Sequence, residues 1–224
     1  MERHFDEELR LLKEKLLKMA SLVEEAISRS MKSLIERSAE IAESVIKAEE
    51  EINMLEIEVD ETCLKLLALY QPAGPDLRFI TSAMKINNDL ERMGDLAVNI
   101  VQRSVDLLKQ PQLKPLIDIP QMAKLAQYMV HDSLTAFINK DADLAREVCR
   151  RDDEVDKLND QVFRELLTYT MQDANNITRA VDLVLVGRHL ERIADHATNI
   201  SEDVVYYVKG TTIKHHIEEK KKET

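Results

Sequence analysis

Apolar residues recur in steps of three and four along almost the whole chain, the spacing of an amphipathic helix. Leu9, Leu12, Leu16, Met19, Val23, Ala26, Ile27, Met31 and Leu34 predict a first helix over about 7–36. Ser38 suits the N-cap of a second, which carries Ile41, Val45, Ala48, Ile52, Leu55, Val59, Leu66 and Leu67. Pro72-Ala73-Gly74-Pro75 ends it, because proline cannot continue a helical ladder. With Asp76 as cap, a third helix runs to about Lys109. The stretch from Gln110 to Pro120 holds three prolines and reads as an extended connector. Three further helices are predicted over about 122–138, over 142–169 after a cap at Asp141, and over 177–208 after a cap at Asn176. The residues from Gly210 onward, with Ile213-Lys214-His215-His216 among them, read as a frayed tail.

The second three helices repeat the first three. At an offset of 103, Met19 matches Met122, Ser38 matches Asp141, Ile52 matches Val155, Leu55 matches Leu158 and Val59 matches Val162. At an offset of 100, Leu90-Glu91-Arg92-Met93-Gly94-Asp95 returns as Leu190-Glu191-Arg192-Ile193-Ala194-Asp195, with Asn99 and Asn199 following. The shift of three falls in the loop at residues 70–76, where a length change is least disruptive. The predicted fold is all-α: two tandem, sequence-repeated three-helix bundles. The expected division is 1–110 for the first bundle, 111–120 for the connector, 121–210 for the second bundle and 211–224 for the tail.

Composition supports this class. The chain of 224 residues is 44% hydrophobic and 4% aromatic, with four Gly and no Trp, a balance that disfavours sheets. A formal charge of -11 argues against nucleic acid as a partner and suits cations or basic protein surfaces. Cys63 and Cys149 lie inside helical patterns without CxxC spacing and are expected as buried small apolar residues in a reduced, cytosolic protein. Met1-Glu2-Arg3-His4-Phe5 lacks the apolar run of a signal peptide. No stretch approaches the roughly 18–20 apolar residues of a membrane span.

The candidate chemistry lies on the polar faces. At about 100° per residue, Glu91, Asp95 and Asn99 share one arc of a helix, and Glu191, Asp195 and Asn199 share the corresponding arc of its repeat. The middle helix of each half adds a stripe: Glu49, Asn53, Glu56 and Asp60 in the first, and Asp152, Asp156, Asn159 and then Phe163 in the second. If the middle and last helices of each half are neighbours, the stripes converge. Like charges four residues apart cost a helix a few tenths of a kcal/mol. Arg92 and Arg192, three residues before the Asp, offer local ion pairs, and a bound cation would offset the repulsion better. Oxygen-only donors suit Mg²⁺, Ca²⁺, Mn²⁺ or iron rather than a structural zinc site of Cys and His. Acid-rich helix surfaces usually mean only solubility, but here the outward acids recur in both copies.

Catalysis has little support in the sequence. There is no phosphate-cradling glycine loop and no Gly-x-Ser-x-Gly elbow. His189 and His196 flank the second motif, but Asp89 and Leu96 stand at their counterparts, so the pair is expected to be solvent-exposed. Neither Glu91 nor Glu191 has a histidine three residues later, as an inward-facing di-iron carboxylate bundle would require.

The duplicated motif, with Gln71-Pro72 before Asp76-Leu77-Arg78 and the closing Tyr206-Tyr207-Val208-Lys209-Gly210, resembles the signature of the PhoU family over nearly the whole chain. The resemblance implies two similar three-helix bundles and a cytoplasmic, non-enzymatic, dimeric regulator. It implies damping of phosphate uptake and of phosphate-starvation signalling when phosphate is plentiful. The implied partners are the ATP-binding subunit of the phosphate ABC transporter and the phosphate-sensing histidine kinase. It also implies multinuclear metal clusters, iron or zinc among others, on the acidic faces. By position the ligands would be Glu49, Glu91 and Asp95 in the first half, and Asp152, Asp156, Glu191 and Asp195 in the second. Asn53 stands where the second half has Asp156, a neutral and weaker donor. Two other classes compete: a metal-dependent hydrolase or oxidase using clustered carboxylates, and a purely structural dimerising bundle with incidental surface acids.

Overall fold

The structure, a computed structural model, describes residues 2–213, so residues 214–224 of the expected tail lie outside the described residues. Six long helices follow one another: α1 (Glu2–Glu36), α2 (Ala39–Tyr70), α3 (Gly74–Leu108), α4 (Asp118–Asn139), α5 (Ala142–Gln172) and α6 (Ile177–Lys209). A single 3-10 turn, Ala174–Asn176, precedes α6, and no strand occurs among the described residues.

Side-chain caps set the starts of α2 and α5. The Ser38 hydroxyl accepts from the Ile41 amide, and the Asp141 carboxylate accepts from the amides of Asp143 and Leu144. The two expected caps of the last helices differ. Asp76 lies in the first turn of α3, which starts at Gly74 after an extended Ala73 without a side-chain cap. Asn176 has helical backbone angles and caps nothing, while Asp173 binds the Asn175 amide one turn earlier. The connector is also shorter than expected, since Asp118, Ile119 and Pro120 already belong to α4. Proline is tolerated there because the first-turn amides have no intrahelical partner. Gly210 ends α6 in the left-handed conformation (φ 69°), with its amide on the Tyr206 carbonyl.

Within each half the middle helix runs antiparallel to its neighbours. Lys65 pairs with Glu8 and Lys18 with Glu51 between α1 and α2, and Arg151 pairs with Asp132 between α4 and α5. The apolar stripes of both halves merge into one cluster, which includes Leu12, Ile52, Leu90 and Met93 from the first and Met122, Val155, Leu190 and Ile193 from the second. α3 and α6 form the seam, antiparallel along their length. Arg78 donates to the Tyr207 carbonyl at one end (3.3 Å), and Arg103 pairs with Asp182 toward the other (3.2 Å). Phe79, Phe137 and Tyr207 close the first end as a group of rings with centroids 5.5–5.9 Å apart. Two sequence motifs far apart in the chain, Asp76-Leu77-Arg78 and Tyr206–Gly210, are therefore halves of one contact.

Arg37 fastens the start of the connector. It ends α1 with φ 54°, and its Nη2 donates to the carbonyls of Leu107 (3.0 Å), Leu108 (3.3 Å) and Gln110 (2.6 Å). Leu107 and Leu108 lie in the last turn of α3, where carbonyls run short of amide donors, and Gln110 follows it; the Leu107 carbonyl also accepts from the Gln110 amide (3.3 Å). Further along, the buried Lys114 ammonium pairs with Glu165 of α5. No helix of the described residues is long and apolar enough to cross a membrane.

Two carboxylate faces and the seam between them

Beneath each motif lies packing. Leu90, Met93, Ala97 and Ile100 of α3, and Leu190, Ile193, Ala194, Ala197 and Ile200 of α6, are fully buried, so rotation of each helix is fixed by its core side. That rotation carries Glu91 and Asp95 to the border with α2, and Glu191 and Asp195 to the border with α5. The condition set on the sequence is met, and the stripes converge. Glu91 and Glu191 are only 17% and 15% exposed at the side chain, so the faces are borders between helices rather than free surfaces.

In the first face, Glu49 of α2 meets Asp95 of α3. Burial raises the Glu49 carboxyl above its usual range, and the charge of Asp95 and a side-chain hydrogen bond to it add to the effect. Burial likewise raises Glu91, with Asp95, Glu56 and Glu49 adding and Arg92 opposing. The expected local pair forms: Arg92 lies 3.6 Å from Asp95 and 3.4 Å from Glu91. Asn53 is exposed on α2. Further along, buried Asn87 donates to the Glu56 carbonyl (2.9 Å) and to Asp60 (3.0 Å), so Asp60 serves helix packing.

The second face is more strongly charged. Burial is the first cause that lifts Asp152 to about 6, followed by the charges of Asp195, Asp156, Asp153 and Glu191. One Asp152 carboxylate oxygen, Oδ1, is buried without a hydrogen-bond partner. Burial also raises Asp156 and Glu191; Asp195 adds to both, and Arg188 opposes both. Here the local ion pair is Arg188 with Glu191, three residues on, and not the pair of Arg192 with Asp195 that the repeat suggests. Gly187 lets the two helices approach closely at this border. A Cβ there would stand 3.0 Å from Asn159 Oδ1 and 3.6 Å from Val162. At Gly94 a Cβ would meet Ile52 at 3.3 Å, so the Gly94/Ala194 difference reflects packing beneath the faces.

A family model described as the PhoU domain matches twice, over residues 16–104 and 119–204. The chain belongs to the PhoU family. It is 46% identical over 214 residues to the phosphate-specific transport system accessory protein PhoU homolog of Aquifex aeolicus (strain VF5), covering 95% of this chain and 97% of the relative. PhoU homolog 2 of Thermotoga maritima is 35% identical over 214 residues, covering 96% and 91%. The crystal structure of PhoU from Pseudomonas aeruginosa superposes with a TM-score of 0.90 at 38% identity, covering 92% of this chain and all of that one. The phosphate transport system regulatory protein PhoU from Streptococcus pneumoniae gives 0.86 at 32%, covering 94% and 99%.

The donor chemistry of this PhoU-family chain fits a hard or borderline cation. Each face is oxygen-only, and the second offers a buried carboxylate oxygen that nothing else satisfies. As the side chains lie, no three His, Cys, Asp or Glu among the described residues stand close enough to enclose an ion.

The seam holds polar residues of its own, and one of them is Asn199, which the spacing places on the arc of Glu191 and Asp195 but which reaches across to α3. His196 and Asp89 join α6 to α3 at 2.8 Å, with Asn199 also donating to Asp89 (3.4 Å). The expectation of an exposed histidine pair is corrected: His196 and His189 are both half-buried. Burial first, then Arg192 and Arg103, lower the His189 pKa, which keeps it neutral. Asp182 and Asp203 are buried on the same helix, paired with Arg103 and with Lys85 (3.1 Å). Their place on the apolar stride of α6, beside Leu183 and Val204, was the available signal. Cys63 is fully buried as expected, but Cys149 is only partly so; burial raises their thiols to about 12 and about 11. Neither is a thiolate near neutral pH.

The strained carboxylate gives a pH prediction. A carboxyl whose folded pKa is raised favours the protonated native state, so that stability is present below the unfolded value and is lost as pH rises through the folded one. For Asp152 that window runs from 3.8 to about 6. In metal-free protein, Asp152→Asn should raise the urea midpoint at neutral pH. The gain should shrink as pH falls from about 6 toward 3.8 and vanish only well below 3.8, where both states are protonated in the parent. An equal gain at all pH values would assign the effect to packing.

Proposed function

We propose that this chain is a cytoplasmic, non-enzymatic regulator of phosphate homeostasis. It lowers uptake by the phosphate ABC transporter through that transporter's ATP-binding subunit. It also restrains phosphate-regulon signalling through the phosphate-sensing histidine kinase. The observation that carries the reading is likeness over nearly the full length to proteins named as phosphate-specific transport system accessory proteins. The fold supports an adaptor: long helices present rigid charged borders, which fix the register of a docked partner. The chain would act as a homodimer. Each face would hold metal ions, iron or zinc, with Mn, Mg or Ca as alternatives, through Glu49, Asn53, Glu91 and Asp95 or through Asp152, Asp156, Glu191 and Asp195. Bound ions would neutralise carboxylates that otherwise repel one another.

The test combines two readouts. Elemental analysis of untagged, chelator-free protein should find metal above one equivalent in the parent and a loss of at least half in Asp95→Ala/Asp195→Ala. Phosphate uptake and a phosphate-regulon reporter should both rise in cells lacking the gene and return to normal when the parent gene is restored. Unchanged uptake and reporter in the deletion strain would overturn the regulatory reading.

A metal-dependent hydrolase or oxidase is the second reading. One observation favours it: a carboxyl near 6 at Asp152 is poised for proton transfer at neutral pH. Turnover of a phosphate ester that is abolished by Asp152→Asn, and by Glu91→Ala if the first face acts likewise, would select it over the regulator.

A further inference from the structure

At the end of the second face nearest the α5–α6 turn, charge gives way to apolar side chains. Phe163, Leu167 and Met171 stand four residues apart on α5, exposed to 52%, 49% and 81%. On α6, Ile177, Val181 and Leu185 have the same spacing and are exposed to 50%, 49% and 36%. The helices are antiparallel and in register. Asn159 lies against Gly187, and Asp152 against Asp195, so residues whose numbers sum to about 347 share a level. Phe163 is thus level with Leu185, Leu167 with Val181, and Met171 with Ile177. The six form two facing rows that continue the line of Asp152, Asp156, Glu191 and Asp195. Apolar rows of this length on an exposed two-helix border mark an interaction site more often than chance exposure.

The duplication supplies an internal control. In the first half the equivalent positions are Asp60, Leu64 and Ala68 on α2, and Leu77, Thr81 and Lys85 on α3. Charges and a threonine interrupt both rows there, and Lys85 and Asp60 are occupied by Asp203 and Asn87. The acidic patch exists in both halves, but only the second extends it with an uninterrupted apolar border.

We propose that the α5–α6 border docks a basic amphipathic helix of a partner polypeptide. Its apolar face would lie on Phe163, Leu167, Met171, Ile177 and Val181, and its Lys/Arg-bearing end would lie on Asp152, Asp156 and Asp195. Charge complementarity selects this occupant. Arg188 at the junction is held by Glu191, and Arg164 faces Asp160. In metal-free protein the basic side chains of a partner would therefore bring to Asp152, Asp156 and Asp195 the counter-charge that bound ions would otherwise supply, and the titration is run on metal-free protein. A second copy of a chain of charge -11 would bring like charge to the same place. The length agrees as well: from Asp152 to Met171 is about 28 Å of helix, or about five turns of a bound one. The inference deepens the adaptor reading and rests on it.

The probe is a synthetic fluorescent amphipathic helix of about 18 residues with a leucine face and lysines at one end, titrated into the full-length chain and read by anisotropy. Phe163→Ser/Leu167→Ser should weaken binding at least tenfold. Asp156→Asn/Asp195→Asn should weaken it severalfold and flatten its salt dependence. A peptide with glutamates in place of the lysines should bind at least tenfold more weakly than the parent peptide. Met171→Ser, at the most exposed position, should weaken binding on its own and serves if the double variant fails to show a native circular-dichroism spectrum. Parent-like binding by all three variants would overturn the proposal. So would a dimer in sedimentation that dissociates in Phe163→Ser/Leu167→Ser, which would make the occupant a second copy. Binding to phosphatidylcholine vesicles lost in the same variant would assign the border to a membrane and overturn it too. Failure of this titration leaves the phosphate-uptake test untouched, so the two readings fail separately.

Discussion

Leu190→Ala is expected to destabilise the protein by about 2–5 kcal/mol, a large share of the roughly 5–15 kcal/mol that holds a typical domain folded. Leu190 is fully buried at the inner side of the second motif, where α6 packs against α5, α4 and α3. Truncation removes apolar contacts and leaves a cavity that three long helices close only partly, since each is fixed along its length by other contacts. The check is urea unfolding followed by circular dichroism: a lower midpoint at unchanged slope marks a stability loss. Glu191→Gln, one residue along, removes a charge and no packed volume. Since burial raises the Glu191 carboxyl while Arg188 opposes the rise, its midpoint should not fall as that of Leu190→Ala does and should lie at or slightly above that of the parent. The pair matters for function because both residues belong to the repeated motif. Loss of regulation in a Leu190 variant would report unfolding, whereas loss in a Glu191 variant would report the carboxylate face.

Glu165→Ala should destabilise by about 3 kcal/mol, because it leaves the Lys114 ammonium buried without its counter-charge. Lys114 is 3% exposed at the side chain and Glu165 34%, so the lysine bears the cost. Water reaching the vacated space limits the loss to the lower part of the range for broken buried pairs. The double replacement Lys114→Met/Glu165→Leu should recover most of it, since a packed apolar pair has no desolvation penalty. A four-member denaturation cycle reads this directly. Recovery in the double variant assigns the loss to the stranded charge. An additive, larger loss would show instead that the pair positions the connector on α5, with Arg37 holding the other end at the carbonyls of Leu107, Leu108 and Gln110.

Most of this architecture was open to a reader of the chain. The three-to-four stride of Leu12, Leu16, Met19 and Val23 and its repeats announced helices, because side-chain direction in a helix follows local sequence alone. Ser38 and Asp141 marked helix starts because a cap acts on amides two or three residues away. The offsets of 100 and 103 announced the duplication. Errors gathered at element ends: α1 begins at Glu2, with Phe5 against the Tyr70 ring (4.9 Å), and α4 takes in Pro120. Both extensions rest on partners or positions that local periodicity does not encode.

The candidate site divides along the same line. The sequence by itself determined which residues share a helix face: Glu91 with Asp95, Glu191 with Asp195, Asp152 with Asp156. It also determined that two such faces exist. Only the tertiary structure decided that α2 lies beside α3 and α5 beside α6, which turns separate stripes into coupled clusters and lifts Asp152 to about 6. It likewise decided that Asp89 meets His196 across the seam, and that Phe163, Leu167 and Met171 meet Ile177, Val181 and Leu185 as one border. The physical reason is range. Helix periodicity and caps act over a few residues, whereas burial, charge repulsion and apolar adjacency depend on which helices pack together, and that is settled by the fused core of both halves.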